Sequence, residues 1–202
     1  GRARQAFDLS REPEALRDRY GRHKWGQSVL LARRLVEAGA KLVHVNWPRE
    51  GGDEAVSNPL WDTHAQNADR LQDVLCPQFD VTFATLIDDL EQRGLLSETL
   101  VVAIGEFGRT PMGENRDKTG RNHHIDAFTM WFAGGGVKGG RSVGETDEFG
   151  LNAIGQKYHM RDFHATILHA LGLDQHKLFY LHNGRNEKLT DFGGTVIDKV
   201  FI

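Results

Sequence analysis

Among 202 residues there is a single cysteine, Cys76, so no intrachain disulfide can form and a thiolate metal cluster is excluded. No apolar run approaches the roughly 20 residues that a membrane-spanning helix needs, and no N-terminal signal segment is visible. Charge of neither sign dominates. The 25 Lys and Arg face 28 Asp and Glu, a formal net charge of −3 with His neutral, which argues against nucleic-acid and polybasic membrane partners. Repeats, low-complexity tracts and an interdomain linker are missing too, so one domain over 1–202 is expected. The chain opens on Gly1-Arg2-Ala3-Arg4 without an initiator Met. It reads as an excised piece, for which a missing signal does not argue against export.

Against these absences stand ten His and 23 Gly, both high for the length. Glycine lets a backbone approach a ligand closely, and histidine is the commonest metal ligand. The 39% of hydrophobic residues is enough apolar material to bury a sizeable core.

Residues 1–24 are charged and helix-prone. From Trp25 the spacing is helical, with Trp25, Val29, Ala32 and Val36 on one face and Gly39 as terminator. Lys41–Trp47 alternates and is β-branched, so it reads as a strand. Residues 48–64 form a loop carrying Trp61-Asp62-Thr63-His64. A helix is expected from about His64 to Val74, broken at Cys76-Pro77. A second should cover about 78–93, with Phe79, Phe83, Leu86, Ile87 and Leu90 on one stripe and Gly94 closing it. Thr99–Ile104 is a short apolar run suited to a buried parallel strand, followed by a long loop over 105–126 and a strand over Phe128–Ala133. Asp162–Leu171 reads as a helix, and the tail as irregular apart from a short strand at Thr195–Ile197. This order predicts an α/β domain with a largely parallel sheet flanked by helices, with ligands beyond the carboxyl ends of the strands.

Three polar clusters follow predicted strands: Asp62 with His64, then Glu106, then Asn122 with His123 and His124. One carboxylate and two imidazoles make a workable site for zinc or a similar divalent ion, which would bind an anionic oxygen and lower the pKa of water. The competing reading is of solvated loop residues, with Asp62 an N-cap. Arg109 has two readings as well: a clamp for a sulfate or phosphate oxygen, or a partner for a surface carboxylate. Trp61 either walls the site or anchors its loop.

The segments LWDTHAQN, LIDDLEQRGLLSETLVVAIGEFGRTP, GRNHH, FAGGGVKGG and RDFHATILHALGLD, together with YGRHKWGQSVLLARRLVEAGAKLVHVNW at 20–47, resemble the domain of unknown function 1501 family, which is similar to sulfatases of the alkaline phosphatase superfamily. The resemblance implies the C-terminal half of a sulfatase-like α/β domain. It places Asp62, His64 and His123 at the superfamily's first metal, with His124 an alternative to His123. It places Glu106 at the second metal, or as a base, with Arg109 following in the same loop. This chain has D-x-H where D-x-x-x-H is usual, Phe107 where a metal-binding His would fall, and Asn122 where the family shows Asp. The superfamily's nucleophile lies further toward the N-terminus, and nothing before Trp25 resembles it.

The implied function is divalent-metal-dependent hydrolysis (zinc, manganese or calcium) of sulfate or phosphate esters, on small molecules or polysaccharides, in an exported protein. The alternative is a non-catalytic module stabilised by metal that binds a polysaccharide or a protein.

Overall fold

A computed structural model describes residues 2–49 and 60–201; most of the loop expected over 48–64 lies outside the described residues. In chain order the helices are α1 (Arg2–Ala6), α2 (Glu14–Arg19), α3 (Lys24–Glu37), α4 (Asn67–Arg70), α5 (Cys76–Gln92) and α6 (Met160–Ala170). The strands are β1 (Val101–Ala103), β2 (Gly108–Glu114), β3 (Gly120–His124), β4 (Trp131–Ala133), β5 (Glu145–Thr146), β6 (Ala153–Ile154), β7 (Phe179–His182) and β8 (Arg185–Lys188). They fall into two compact units, the first made of Gly1–Leu96 with Arg109–His123, the second of Ser97–Gly108 with His124–Ile202.

The expected parallel sheet does not form. Among the described residues there are four two-stranded sheets, β1–β4, β2–β3, β5–β6 and β7–β8, and β1 runs antiparallel to β4 with Val101 opposite Ala133. The architecture is therefore not the α/β fold of an alkaline phosphatase. A parallel sheet needs strands buried on both faces, whereas β1 is three residues long and only half-buried. Lys41–Trp47 contributes no strand. Its alternation is nevertheless real, because Val43, Val45 and Trp47 turn inward and Leu42, His44 and Asn46 outward. The inward side packs on helices rather than on a neighbouring strand: Val45 meets the Tyr20–Val29–Leu30 core, and Trp47 stacks on Trp25 at 4.6 Å.

In the first unit α3 packs on α5. His23 caps α3 by accepting the Gly26 N–H at 3.1 Å, and Gly39 ends it at φ 102°. Beneath the apolar core lies a buried ionic group. Arg33 reaches Glu12 at 2.9 Å and Asp89 at 2.8 Å, and Asp89 also accepts the Tyr20 hydroxyl at 2.9 Å and Arg93 Nε at 2.7 Å.

Pro77 does not break the helix. Proline lacks an N–H and its ring clashes with the carbonyl four residues back. The chain answers with a π-helical turn over Leu71–Leu75, in which the Cys76 N–H reaches back to the Leu71 carbonyl. The wider turn lets α4 run on into α5 with Pro77 in the first turn of α5.

In the second unit α6 opens with a capping box in which His159 Nδ1 accepts the Arg161 N–H and Asp162 Oδ2 accepts the His159 N–H at 2.8 Å. Phe163 meets Phe132 of β4 edge-on at 5.7 Å. Thr195–Ile197 is a strap rather than a strand, because its amides go to side chains: Thr195 N–H to Asp162 Oδ1 at 2.8 Å and Ile197 N–H to Thr166 Oγ1 at 2.9 Å. The tail's strands are β7 and β8, turned by Asn183-Gly184 with both φ positive, at 48° and 78°, the pair that a tight hairpin turn favours.

Candidate metal centre

Two segments of the first unit, far apart in sequence, build the site. The first is the turn at 60–66. It is bracketed by left-handed backbone at two non-glycine residues, Leu60 (φ 59°) and Gln66 (φ 55°). Such conformations cost about 1–3 kcal/mol each and persist where the surroundings enforce them. Trp61 anchors the turn, meeting Trp47 edge-on at 5.3 Å and Phe79 at 6.1 Å. Thr63 is buried and its hydroxyl lies 2.5 Å from Asn67 Oδ1.

The second segment is β3, along which the turn is laid. The Arg121 N–H donates to the Thr63 carbonyl at 3.0 Å, and the Asn67 N–H to the Thr119 carbonyl at 3.2 Å. Contact between the segments is closest at Gly120, where a Cβ would sit 1.8 Å from the His64 carbonyl oxygen. Only glycine permits that approach.

With the turn held there, Asp62 Oδ1 lies 3.1 Å from His64 Nε2 and 3.1 Å from His123 Nε2, and the two imidazole nitrogens are 3.0 Å apart. The three donors thus form a nearly equilateral triangle, a group among the described residues that could hold a metal ion. Donors at about 2.0–2.1 Å from a tetrahedral ion are about 3.3 Å apart, and adjacent donors of an octahedral one about 3.0 Å. The triangle fits one face of either polyhedron without rearrangement. Its donor chemistry suits zinc better than calcium, which takes six to eight oxygen ligands.

One arginine side chain contacts the triangle directly. Arg109 Nη2 donates to Asp62 Oδ1 at 2.6 Å and Nη1 to the Arg121 carbonyl at 3.2 Å. Burial raises the Asp62 carboxyl, and hydrogen bonds from Arg109 and His123 outweigh it, leaving the group below the ordinary carboxylate range. Arg121 donates to the carbonyls of Thr110 (2.9 Å) and Pro111, so it stiffens the β2–β3 sheet.

Behind His64 stands Glu114, whose Oε2 is 2.7 Å from His64 Nδ1. Glu114 is fifty residues from His64 in sequence and no motif spacing marks it, so the sequence offered no signal for this contact. The hydrogen bond from His64 comes first, and that from Arg116 second, among the causes that hold the Glu114 carboxyl below its usual range.

The other expected ligands are not members of this group. Glu106 is exposed in the second unit. His124 is buried there with Nε2 2.9 Å from the Gly150 carbonyl oxygen, so of the two adjacent histidines it is His123 that joins Asp62 and His64. Arg109 is paired with a carboxylate, that of Asp62, which is itself in the triangle.

Two imidazole nitrogens and one carboxylate oxygen beside an arginine make a donor set that could hold a metal ion. The chain belongs to the family described as protein of unknown function (DUF1501), whose model matches residues 1–201. No curated protein and no solved structure matches it. Among the described residues no helix is long and apolar enough to cross a membrane.

Proposed function

We propose that this chain binds one divalent cation, zinc or manganese, through Asp62, His64 and His123, and that the centre serves the hydrolysis of sulfate or phosphate esters. The observation that carries the proposal is the triangle of donor atoms with edges of 3.0–3.1 Å. When bound, such an ion supplies Lewis acidity toward an anionic oxygen. Asp62 brings one negative charge and the two imidazoles none, so the loaded site keeps net positive charge for an anionic ester. Arg109 adds to it, and its planar fork matches sulfate and phosphate oxygens. Glu106 as a base or second-metal ligand remains part of the proposal on resemblance alone.

The resemblance of the motif segments to sulfatases supports the choice of ester and the proposal of an exported protein. It concerns local sequence and chemistry, since the described residues build no parallel sheet.

One observation favours the second reading, a metal-stabilised binding module: the three donors join two segments, and an ion there would staple the 60–66 turn to β3. Assay of the zinc- or manganese-loaded chain, in two independent preparations, against aryl sulfates and aryl phosphates separates the two. The proposal expects release of the aryl alcohol that Asp62→Ala abolishes. Metal binding that raises the melting temperature, with no release from either preparation, would reject hydrolysis in favour of the module.

A further inference from the structure

We propose that Glu114 is a positioning residue of this centre, holding His64 in the tautomer and ring orientation that present Nε2 to the ion, with Arg116 as the support that holds Glu114 in turn. The inference rests on the reading of Asp62, His64 and His123 as a metal site.

A carboxylate can only accept a hydrogen bond. At 2.7 Å from Glu114 Oε2, His64 Nδ1 therefore carries the proton, and the lone pair of the neutral ring is left on Nε2. That atom is the one 3.0 Å from His123 Nε2 and 3.1 Å from Asp62 Oδ1, so the shared proton and the metal-facing lone pair lie on opposite ends of one imidazole.

Glu114 is itself fixed. Its second oxygen, Oε1, accepts Arg116 Nε at 2.8 Å and Nη2 at 2.5 Å. Both groups come from the end of β2 and the bend after it, while His64 comes from the 60–66 turn. The relay thus ties the ligand to a second piece of backbone besides the one under Gly120. Outer carboxylates of this kind raise the basicity of a ligating imidazole, and losing one typically costs about 10- to 100-fold in metal affinity. Glu114 is fifty residues from the His64 that it contacts.

Isothermal titration of the chain with zinc, for the wild type, Glu114→Ala, Glu114→Gln and Glu91→Ala, tests the role, with ring-nitrogen NMR of His64 recorded before zinc is added. Wild type binds one zinc and shows His64 protonated on Nδ1. Glu114→Ala keeps the stoichiometry, loses roughly 10- to 100-fold in affinity and loses the single tautomer. Glu114→Gln, whose amide oxygen can still accept from Nδ1, recovers most of both, and Glu91→Ala, a change at an exposed glutamate of α5, matches wild type. Tight zinc binding in the wild type with unchanged affinity and tautomer in Glu114→Ala overturns the positioning role alone. No zinc binding in folded wild type removes the metal reading, and the positioning role with it.

Discussion

Gly120 and His64 are in backbone contact across 56 residues of sequence: a Cβ on Gly120 would lie 1.8 Å from the His64 carbonyl oxygen and 2.0 Å from its carbonyl carbon. This contact, with the amide of Arg121 on Thr63, sets where the ring of His64 stands relative to His123, three residues further along β3.

Gly120→Ala is therefore expected to act on the site as well as on stability. The obstacle is backbone, which cannot swing away as a side chain does, so the 60–66 turn must lift off β3. Zinc affinity should fall by at least tenfold while the α3–α5 core keeps its helical circular dichroism. Wild-type affinity in Gly120→Ala would show that the turn is not seated as described.

Arg109 should have effects of opposite sign on binding and on turnover. Its guanidinium donates to the same Asp62 oxygen that faces the imidazoles, so it competes with a cation for that atom. Arg109→Ala is expected to tighten zinc binding by about 2- to 10-fold, a modest figure because the pair is partly exposed and screened. Ester hydrolysis, where it is measured, should fall because an anion-facing charge is lost. Weaker zinc binding in the variant would contradict this competition.

Tyr20→Phe probes the buried ionic group away from the site. Burial first, then the neighbouring Asp89 carboxylate, pushes the Tyr20 hydroxyl far above its ordinary pKa, so it stays a neutral donor to Asp89. Removing the hydroxyl leaves a buried carboxylate short of a donor, at a cost of about 1–3 kcal/mol. The melting temperature should drop by several degrees with zinc affinity unchanged. A loss of zinc affinity would connect the two regions in a way the geometry does not.

Asp147 gives a pH test in the second unit. The Asn152 side chain and the amides of Leu151 and Asn152 donate to its carboxylate and hold its pKa below that of an ordinary aspartate. Because the folded value is depressed, the stabilisation is present above the unfolded value and is lost as pH falls through the folded one. The Leu151 and Asn152 amide resonances should move together at that lower midpoint. A midpoint at or above that of a free aspartate would show that the bonds do not hold in solution.

What the sequence disclosed follows the range of the physics involved. Caps and stripes are local, so α3, its Gly39 stop and α6 were legible. The alternation of Val43, Val45 and Trp47 was legible as burial but not as a strand, since periodicity cannot say whether a ladder partner exists. Pro77 was legible as a constraint, but a π turn meets it as well as a break does. Asn183-Gly184 carried the hairpin signal that the irregular reading of the tail passed over. Asp62, His64 and His123 could be grouped by resemblance, yet the choice of His123 over His124 came from side-chain direction on β3, and Glu114 came from tertiary contact alone.

Elemental analysis of the purified chain after zinc loading and desalting, with His123→Ala alongside, tests the central claim most directly. The account predicts about one equivalent of zinc in the wild type and its loss in a variant that remains folded. Zinc absent from folded wild type, or retained equally in the variant, would contradict a metal centre at Asp62, His64 and His123.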